Sequence, residues 1–269
     1  MSLTHPGRRV LLVACCALLL AIGTLLALVA NRASGPSSSS GAIGASATRT
    51  SASLPNQTAP EPTAAARVKG DVAQAEVEQL RSVEKVSAVV TPRRISGDAA
   101  EQPDLYAAEF VRRLLTQDYS GVRTDHLAWV QAESAMTSEP LVVGLVPPEL
   151  RGRLALHSVT ERSGGRAAVP DEVEWRSLAA GQAYTTVRVD RVVEPMAWSN
   201  AVASGRITDP GVTGREVSAT VTLHAQQQGR EVTSTTSVAL TLNLEGPPSR
   251  DRWGFITLVT YTAVPVTAP

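Results

Sequence analysis

The four histidines of the chain lie far apart in the sequence and form none of the usual metal-binding motifs. They are His5, His126, His157 and His224. A protein zinc site needs ligands at close spacing, such as His-x-His or His-Glu-x-x-His, and the chain has neither. It also lacks a Gly-x-Ser-x-Gly elbow and a glycine-rich loop followed by lysine, the starting motifs of serine hydrolysis and nucleotide binding. The sequence therefore predicts no metal and no cofactor.

Asp118, Tyr119 and His126 come closest to a set of residues that could transfer protons. A carboxylate, a phenol and an imidazole at the mouth of a pocket could act as general acid and base. The interpretation that we favour is that all three are surface or helix-end residues. The charged segment 171–175 is interpreted in the same way, as a loop beside an anchoring tryptophan. The sequence therefore predicts that the protein is not an enzyme.

Charge and cysteine content restrict the partners and sites further. Lysine and arginine total 25, and aspartate and glutamate total 25, so no long-range field favours nucleic acid. Both cysteines, Cys15 and Cys16, lie inside an apolar run, and the rest of the chain has no thiol, disulfide or cysteine metal site. We expect no direct contact with nucleic acid and no small-molecule substrate.

The apolar run extends from Val10 through Leu20 to Ala30 without a charged, amide or proline residue. A run of this length can cross a bilayer once. Arg8 and Arg9 precede it directly, and positive residues favour the cytoplasmic side. The sequence therefore predicts a single-pass protein of the cell membrane, with a cytoplasmic N-terminus and an extracytoplasmic C-terminal domain.

Composition divides the chain into five predicted parts. A cytoplasmic tail covers residues 1–9, and the membrane anchor covers 10–30. Residues 31–67 are rich in Ser, Ala, Thr, Gly and Pro, which is typical of a disordered linker. Residues 68–102 carry a weak helical stripe and are interpreted as a stalk helix with a linker, followed by a folded domain over 103–265. A cleaved signal peptide or a lipoprotein signal is the alternative to the anchor.

Helices are predicted first in this domain and strands afterwards. Apolar residues at helical spacing from Leu105 to Leu115 predict one helix, a second follows Thr124, and a short third begins at Pro147. The apolar period then changes to two, which predicts strands over four ranges: 183–193, 217–226, 232–244 and 253–264. Strands this long must twist and curl. The predicted fold class is α+β: one transmembrane helix, then a cone of three N-terminal helices packed on a curved antiparallel sheet of about four strands.

The outward face of the second and third strands is polar but almost uncharged. Depletion of charge is typical of the centre of a protein interface. A merely solvated face is the alternative, since threonine is an ordinary strand residue. We predict self-association or docking of a partner protein on this face, and the segment 198–214 is a second candidate contact site, as a long loop. The predicted interface residues are Thr220, Thr222, His224, Thr233, Thr235, Ser237 and Thr241.

Several short motifs resemble those of one protein family. They occupy residues 108–112, 127–130, 133–135, 141–148 and 261–266, and include Ala-Glu-Phe-Val-Arg and Leu-Val-Val-Gly-Leu-Val-Pro-Pro. With the order of the elements, they resemble the single-pass scaffold proteins of type IV secretion and bacterial conjugation, especially the TcpC-type conjugal transfer proteins. The resemblance implies a nuclear-transport-factor-2-like fold, no catalysis, and a part in holding a transfer channel at the membrane.

These observations together predict a non-enzymatic membrane scaffold of a conjugation or type IV secretion apparatus, acting through protein–protein contacts of its exterior domain. The expected partners are membrane lipid, further copies of the chain and other channel proteins. Two alternatives stay open. One is an accessory membrane protein of a mammalian-cell-entry-type lipid importer. The other is a pocketed ligand-binding or enzymatic domain of the same fold, which needs a deep cavity with converging polar groups.

Overall fold

The structure, a computed structural model, describes residues 74–88, 91–162 and 165–266. In these residues a series of helices is followed by one four-stranded antiparallel sheet, in which the strands lie side by side in the order of the chain. The predicted membrane anchor, with Val10, Leu20 and Ala30, lies outside the described residues, as does the predicted linker over 31–67.

Most of the helices precede the sheet, and proline marks several of their starts. Pro103, Pro140 and Pro148 each occupy a first helical position, where the missing N–H costs nothing. The helices are α1 (74–82), α2 (Asp98–Glu101), α3 (Pro103–Leu115), α4 (Arg123–Glu133), α5 (Pro140–Val143), α6 (Arg151–Thr160), which a 3-10 turn at Pro148–Leu150 precedes, α7 (Glu172–Ala180) and α8 (Met196–Ala203), which lies between the first two strands.

The strands are long, and a two-residue turn joins the second to the third. They are β1 (Tyr184–Val193), β2 (Val212–Gln227), β3 (Arg230–Glu245) and β4 (Gly254–Pro265). Gln228 and Gly229 form the two-residue turn between β2 and β3, with φ values of 52° and 75°. Two successive positive φ values characterise the type I′ turn, whose twist matches that of a hairpin. The turn therefore fixes the register of the two longest strands.

The core lies between the helices and one face of the sheet. Along β3, Leu240, Leu242 and Leu244 are fully buried. Phe110 of α3 stacks on Phe255 of β4 with ring centroids 4.3 Å apart, and on Trp129 of α4 at 5.3 Å. Aromatic pairs at such distances add stability beyond their buried area. The few aromatic residues of the chain thus join two helices to the edge of the sheet.

Residues ahead of α3 also belong to this core. Leu80 is 3% exposed and Ile95 is fully buried. The side chain of Gln131 accepts a hydrogen bond from the backbone N–H of Val86 and donates one to its carbonyl, at 3.0 and 2.9 Å. The backbone N–H of Ile95 donates to the carboxylate of Glu133. Two side chains at the end of α4 therefore hold the preceding segment.

The predicted fold class, a transmembrane helix followed by three helices on a curved sheet, is wrong and needs correction. Among the described residues no helix is both long and apolar enough to cross a membrane. The described chain is α+β with four antiparallel strands, but more than three helices precede the sheet. Proline and glycine divide the region between α4 and α6 into short turns, and Gly144 has a positive φ of 54°. Such short turns carry too few residues for a helical period to appear in the sequence.

Two segments predicted as loops contain helices. Asp171 caps α7 by accepting hydrogen bonds from the backbone N–H groups of Val173 and Glu174, so the segment 171–175 is a helix start. The segment 198–214 contains most of α8 and the first residues of β2.

Candidate functional site

Six of the seven predicted interface residues form three adjacent cross-strand pairs. Thr220 lies opposite Ser237, Thr222 opposite Thr235, and His224 opposite Thr233. They occupy the face of the sheet that points away from the core, and all six are half-buried or exposed. We call these six residues the outer-face patch. Its members are neighbours because the turn at 228–229 sets the pairing and because alternate residues of a strand share one face.

Thr241, the seventh predicted residue, lies apart from the patch. It is opposite Glu216 on β2, and its hydroxyl oxygen accepts a 2.9 Å hydrogen bond from the hydroxyl of Thr260 on β4. It lies four positions after Ser237 along β3, which is about 13 Å at the usual rise of a strand. The structure therefore places Thr241 on the same face but outside the contiguous group.

Strand β1 adds residues that the sequence analysis did not assign to the interface. Tyr184 stacks on His224 with ring centroids 4.6 Å apart and an angle of 2° between the rings. The hydroxyl oxygen of Thr186 lies 3.2 Å from Nε2 of His224, and Glu231 Oε1 lies 3.1 Å from its Nδ1. His224 is therefore held in one orientation from three sides.

A charged border lies next to the neutral centre of the patch. Arg188 Nε donates a 2.8 Å hydrogen bond to Asp190, and the hydroxyl of Thr220 donates one of 2.7 Å to the other carboxylate oxygen. The hydrogen bond from Thr220 and the adjacent Arg188 hold the pKa of Asp190 below its ordinary value. Asp190 therefore stays ionised, and the hydroxyl of Thr220 is oriented by it.

The predicted proton-transfer set does not assemble. The ring of His126 lies between Trp129 and Trp175, with centroid distances of 6.0 and 5.9 Å, and its Nε2 is 3.1 Å from the carbonyl oxygen of Leu114. Burial lowers the pKa of His126 to about 4. Asp118 instead accepts hydrogen bonds from the hydroxyl and backbone N–H of Ser120. Within the part of the chain that the structure describes, no hydrogen bond joins His126 to Asp118.

A cavity of about 310 Å³ lies between the helices and the inner face of the sheet. The hydroxyl of Tyr119 donates to the side-chain oxygen of Gln117, whose amide nitrogen donates to the carbonyls of Leu114 and Ala168. Burial raises the pKa of Tyr119, so its hydroxyl stays protonated. These side chains and carbonyls therefore form hydrogen bonds with one another, and this network holds together the part of the cavity lining around Gln117.

Metal ligands do not cluster in the described residues: no group of three or more histidine, cysteine, aspartate or glutamate side chains could hold an ion there. Comparison of the chain with protein-family models, with curated proteins and with solved structures finds no match. A functional assignment therefore depends on the geometry of the described residues and on the sequence.

Proposed function

We propose that this chain is a non-enzymatic scaffold component of a bacterial conjugation or type IV secretion apparatus, which binds other proteins through the outer-face patch. The observation that carries the proposal is the distribution of charge on this face. Hydroxyl and imidazole groups occupy the centre, and Arg188, Asp190 and Glu231 lie at the border. Protein interfaces share this distribution, with a centre depleted of charge and a polar rim.

The types of side chain at the centre also suit a contact surface. Threonine and serine lose little rotamer entropy when they are covered, whereas lysine, arginine and glutamate lose much more. Thr222 and Thr235 lie directly opposite each other, so the centre of the patch is neutral. A neutral centre can be covered without leaving a buried charge unpaired. The partners that we propose are further copies of the chain and other proteins of the apparatus.

The kind of apparatus is supported by the motifs that resemble TcpC-type proteins. Residues 108–112 lie in α3, 127–130 lie in α4, and 141–148 begin inside α5. We also propose that the domain works at the cell membrane, on the outer side. Because these motifs contribute to packing, the identity of the partners needs a direct experiment.

Crosslinking from single cysteines tests the proposal. The chain has cysteine only at positions 15 and 16, so Thr222→Cys or Thr235→Cys in a Cys15→Ser, Cys16→Ser background gives one reactive thiol. A bis-maleimide reagent is added to intact cells, and adducts are identified by mass spectrometry. Arg176→Cys is the matched control, because Arg176 lies on α7 with its side chain 70% exposed.

The adducts distinguish the candidate functions. Adducts with a second copy or with a transfer-channel protein, formed from the patch but not from Arg176→Cys, are the expected result. Adducts with lipid-import subunits assign the chain to the lipid-importer alternative. If neither patch position gives an adduct, the proposed contact surface is contradicted.

A further inference from the structure

Beyond Thr241 the outer face of the sheet is covered, and a groove lies under the cover. Helix α1, the segment 140–146 and helix α6 surround a half-open space of about 550 Å³ over the ends of β3 and β4. This space, which we call the outer groove, is separate from both the outer-face patch and the inner cavity. Its main lining residues are Leu80, Leu145, Leu154, Asn243, Thr257 and Val259.

The walls of the outer groove are aliphatic and partly open to solvent. Leu145 is 82% exposed and Val259 is 52% exposed, while Leu80 is buried deep in the groove. Small-molecule sites are lined mostly by apolar side chains. The walls are therefore suited to the hydrocarbon part of a ligand.

The floor of the groove carries two polar side chains for which the described residues provide no hydrogen-bond partner. Asn243 and Thr257 lie directly opposite each other on β3 and β4, and they are only 7% and 8% exposed. Among the described residues, no side chain or backbone group forms a hydrogen bond with the Asn243 carboxamide or the Thr257 hydroxyl. Neither side chain is among the fully enclosed polar atoms that lack a partner, so solvent reaches their polar atoms from the groove. Their hydrogen-bond partner is therefore water or a ligand. A bound polar group would satisfy both.

The charged side chains that line the groove determine which head group a ligand can carry. Glu76 and Glu161 line it, whereas no lysine or arginine of the described residues does. Nε2 of His157 lies 3.4 Å from Glu161 Oε2, so the imidazole already has a partner. A carboxylate or phosphate head would lose its hydration here and gain no cation. The floor itself is neutral and offers both donors and acceptors.

We propose that the outer groove binds a neutral amphiphile, an aliphatic chain that ends in an amide or hydroxyl group. The head pairs with Asn243 and Thr257, and the chain lies against Leu80, Leu154 and Val259. The volume of the groove is within the range of small-molecule sites. This inference does not depend on the proposed scaffold function, because it concerns a different part of the surface.

Ligand-observed fluorine NMR tests the proposal on the full chain, kept free of detergent. The probe is 8,8,8-trifluorooctanamide, whose signal broadens when it binds. Unlabelled hexanamide, octanamide, octanoate and octylamine then compete with it. We expect octanamide to bind about tenfold more tightly than hexanamide, since each buried methylene contributes a factor of about three to four. Octanoate is expected to bind at least about tenfold more weakly than octanamide, because its charge is unpaired in the groove.

Substitutions locate the site. Thr257→Val keeps the shape of the side chain and removes the hydroxyl, and it is expected to weaken octanamide binding by about fivefold to tenfold. Leu145→Glu places a charge on the exposed wall and is expected to weaken it similarly. Met196→Glu is the matched control, because Met196 is 79% exposed but lies on α8 outside the groove, and it should leave binding unchanged.

Three results would overturn the proposal. The first is no broadening of the probe signal at millimolar concentration. The second is an equal effect of Leu145→Glu and Met196→Glu, which would mean that the probe binds elsewhere. The third is a competitor order in which octanoate, octylamine or the capped apolar peptide acetyl-Leu-Val-Leu-amide displaces the probe better than octanamide does. Preference for the peptide would assign the groove to a segment of a partner protein.

Discussion

The hydroxyl of Tyr106 donates a 3.0 Å hydrogen bond to Oε2 of Glu133, and both residues are fully buried. The other carboxylate oxygen accepts a 2.6 Å hydrogen bond from the backbone N–H of Ile95, and Arg252 Nη2 lies 3.1 Å from Oε2. Burial, reinforced by the charge of Glu133, raises the pKa of Tyr106 well above its ordinary value, so its hydroxyl remains a donor. One carboxylate therefore joins α3, the segment before α2 and the turn before β4.

Removal of this carboxylate is expected to destabilise the protein strongly. Glu133→Ala leaves the Arg252 guanidinium and the Ile95 N–H without their partner, and it should lower the free energy of unfolding by about 3–5 kcal/mol. Tyr106→Phe removes one hydrogen bond and should cost about 1–2 kcal/mol. Urea unfolding of the full-length variants measures both. Equal losses would show that the carboxylate does not act as a common anchor.

His126 should make the protein sensitive to acid. Its pKa is about 4 in the folded state because of burial, against an ordinary value of about 6.5. Between these pH values the unfolded chain binds a proton that the folded chain does not. The stability is therefore complete above about pH 6.5 and falls as the pH is lowered towards 4, by roughly 3 kcal/mol in all.

The test compares two histidine variants by urea unfolding from pH 7 to pH 4. His126→Phe removes the titrating group from the space between Trp129 and Trp175 and should flatten the dependence in this window. His224→Gln, on the outer face, should keep it. If the free energy of unfolding of His126→Phe depends on pH as it does in the parent protein, His126 is not the group responsible.

Glu139 anchors the loop between α8 and β2. Its Oε2 accepts hydrogen bonds of 2.9 and 3.1 Å from the backbone N–H groups of Thr208 and Asp209. Burial acts to raise the pKa of Glu139, but these hydrogen bonds outweigh it and hold the pKa below the ordinary value. The anchor is therefore complete above about pH 4.5 and is lost as the pH falls through the lowered pKa.

Hydrogen exchange of residues 205–211 measures this anchor. Glu139→Ala should reduce the protection of the loop by about tenfold, because the two N–H groups lose their acceptor. Glu139→Gln keeps one acceptor oxygen and should reduce it less. Similar protection in both variants and the parent would contradict the role of Glu139.

Replacement of glycine by alanine should have opposite effects on stability at two positions, Gly246 and Gly152. A Cβ at Gly246 would overlap the ring of Trp253, which is 7% exposed and whose Nε1 donates to the carbonyl of Glu101. Gly246→Ala should therefore cost about 1–3 kcal/mol. A Cβ at Gly152 in α6 would come no closer than 3.8 Å to Met136. Gly152→Ala should stabilise the protein by about 0.5–1 kcal/mol, and thermal unfolding gives the sign of both.

A charge at the centre of the outer-face patch should disrupt partner binding without unfolding the domain. Thr222→Asp should lower the yield of the Thr235→Cys adduct by about fivefold or more, because the new carboxylate would be buried without a partner. Thr124→Asp makes the same chemical change at an exposed position of α4 and should leave the yield unchanged. Loss of yield in both variants would mean that the effect is not specific to the patch.

The sequence predicted the strands better than the short helices. Alternation over ten or more residues predicted a strand over 232–244, and β3 covers Arg230–Glu245. The charged segment 171–175 resembles a loop in composition, although Asp171 followed by Glu174 has the spacing of a helix cap. Helices as short as α5 and α8 depend on packing more than on a period of their own, so hydrophobic periodicity in the sequence does not reveal them.

The outer-face patch and the outer groove also differ in how much of them the sequence predicts. The pairing of Thr222 with Thr235 follows from a two-residue turn, so it could be derived from the sequence. The position of Tyr184 against His224 could not, because β1 and β2 are separated by α8 and a loop. The cover over Asn243 comes from α1 and the segment 140–146, and such distant contacts leave no local signal.

The two hydrogen bonds between Gln131 and Val86 have a mechanical consequence. A tensile force applied at residue 74 would first act on the contacts of α1, where Leu80 is buried and the carbonyl of Arg81 accepts a hydrogen bond from Arg153. It would then pass to Val86 and α4. Both bonds join the same two residues and would be strained together, so this clip should yield as a unit. The Glu133 carboxylate, two residues further along α4, would then take up the load at Ile95. Under force, the contacts that hold the leading segment to the core should therefore break one after another along the chain.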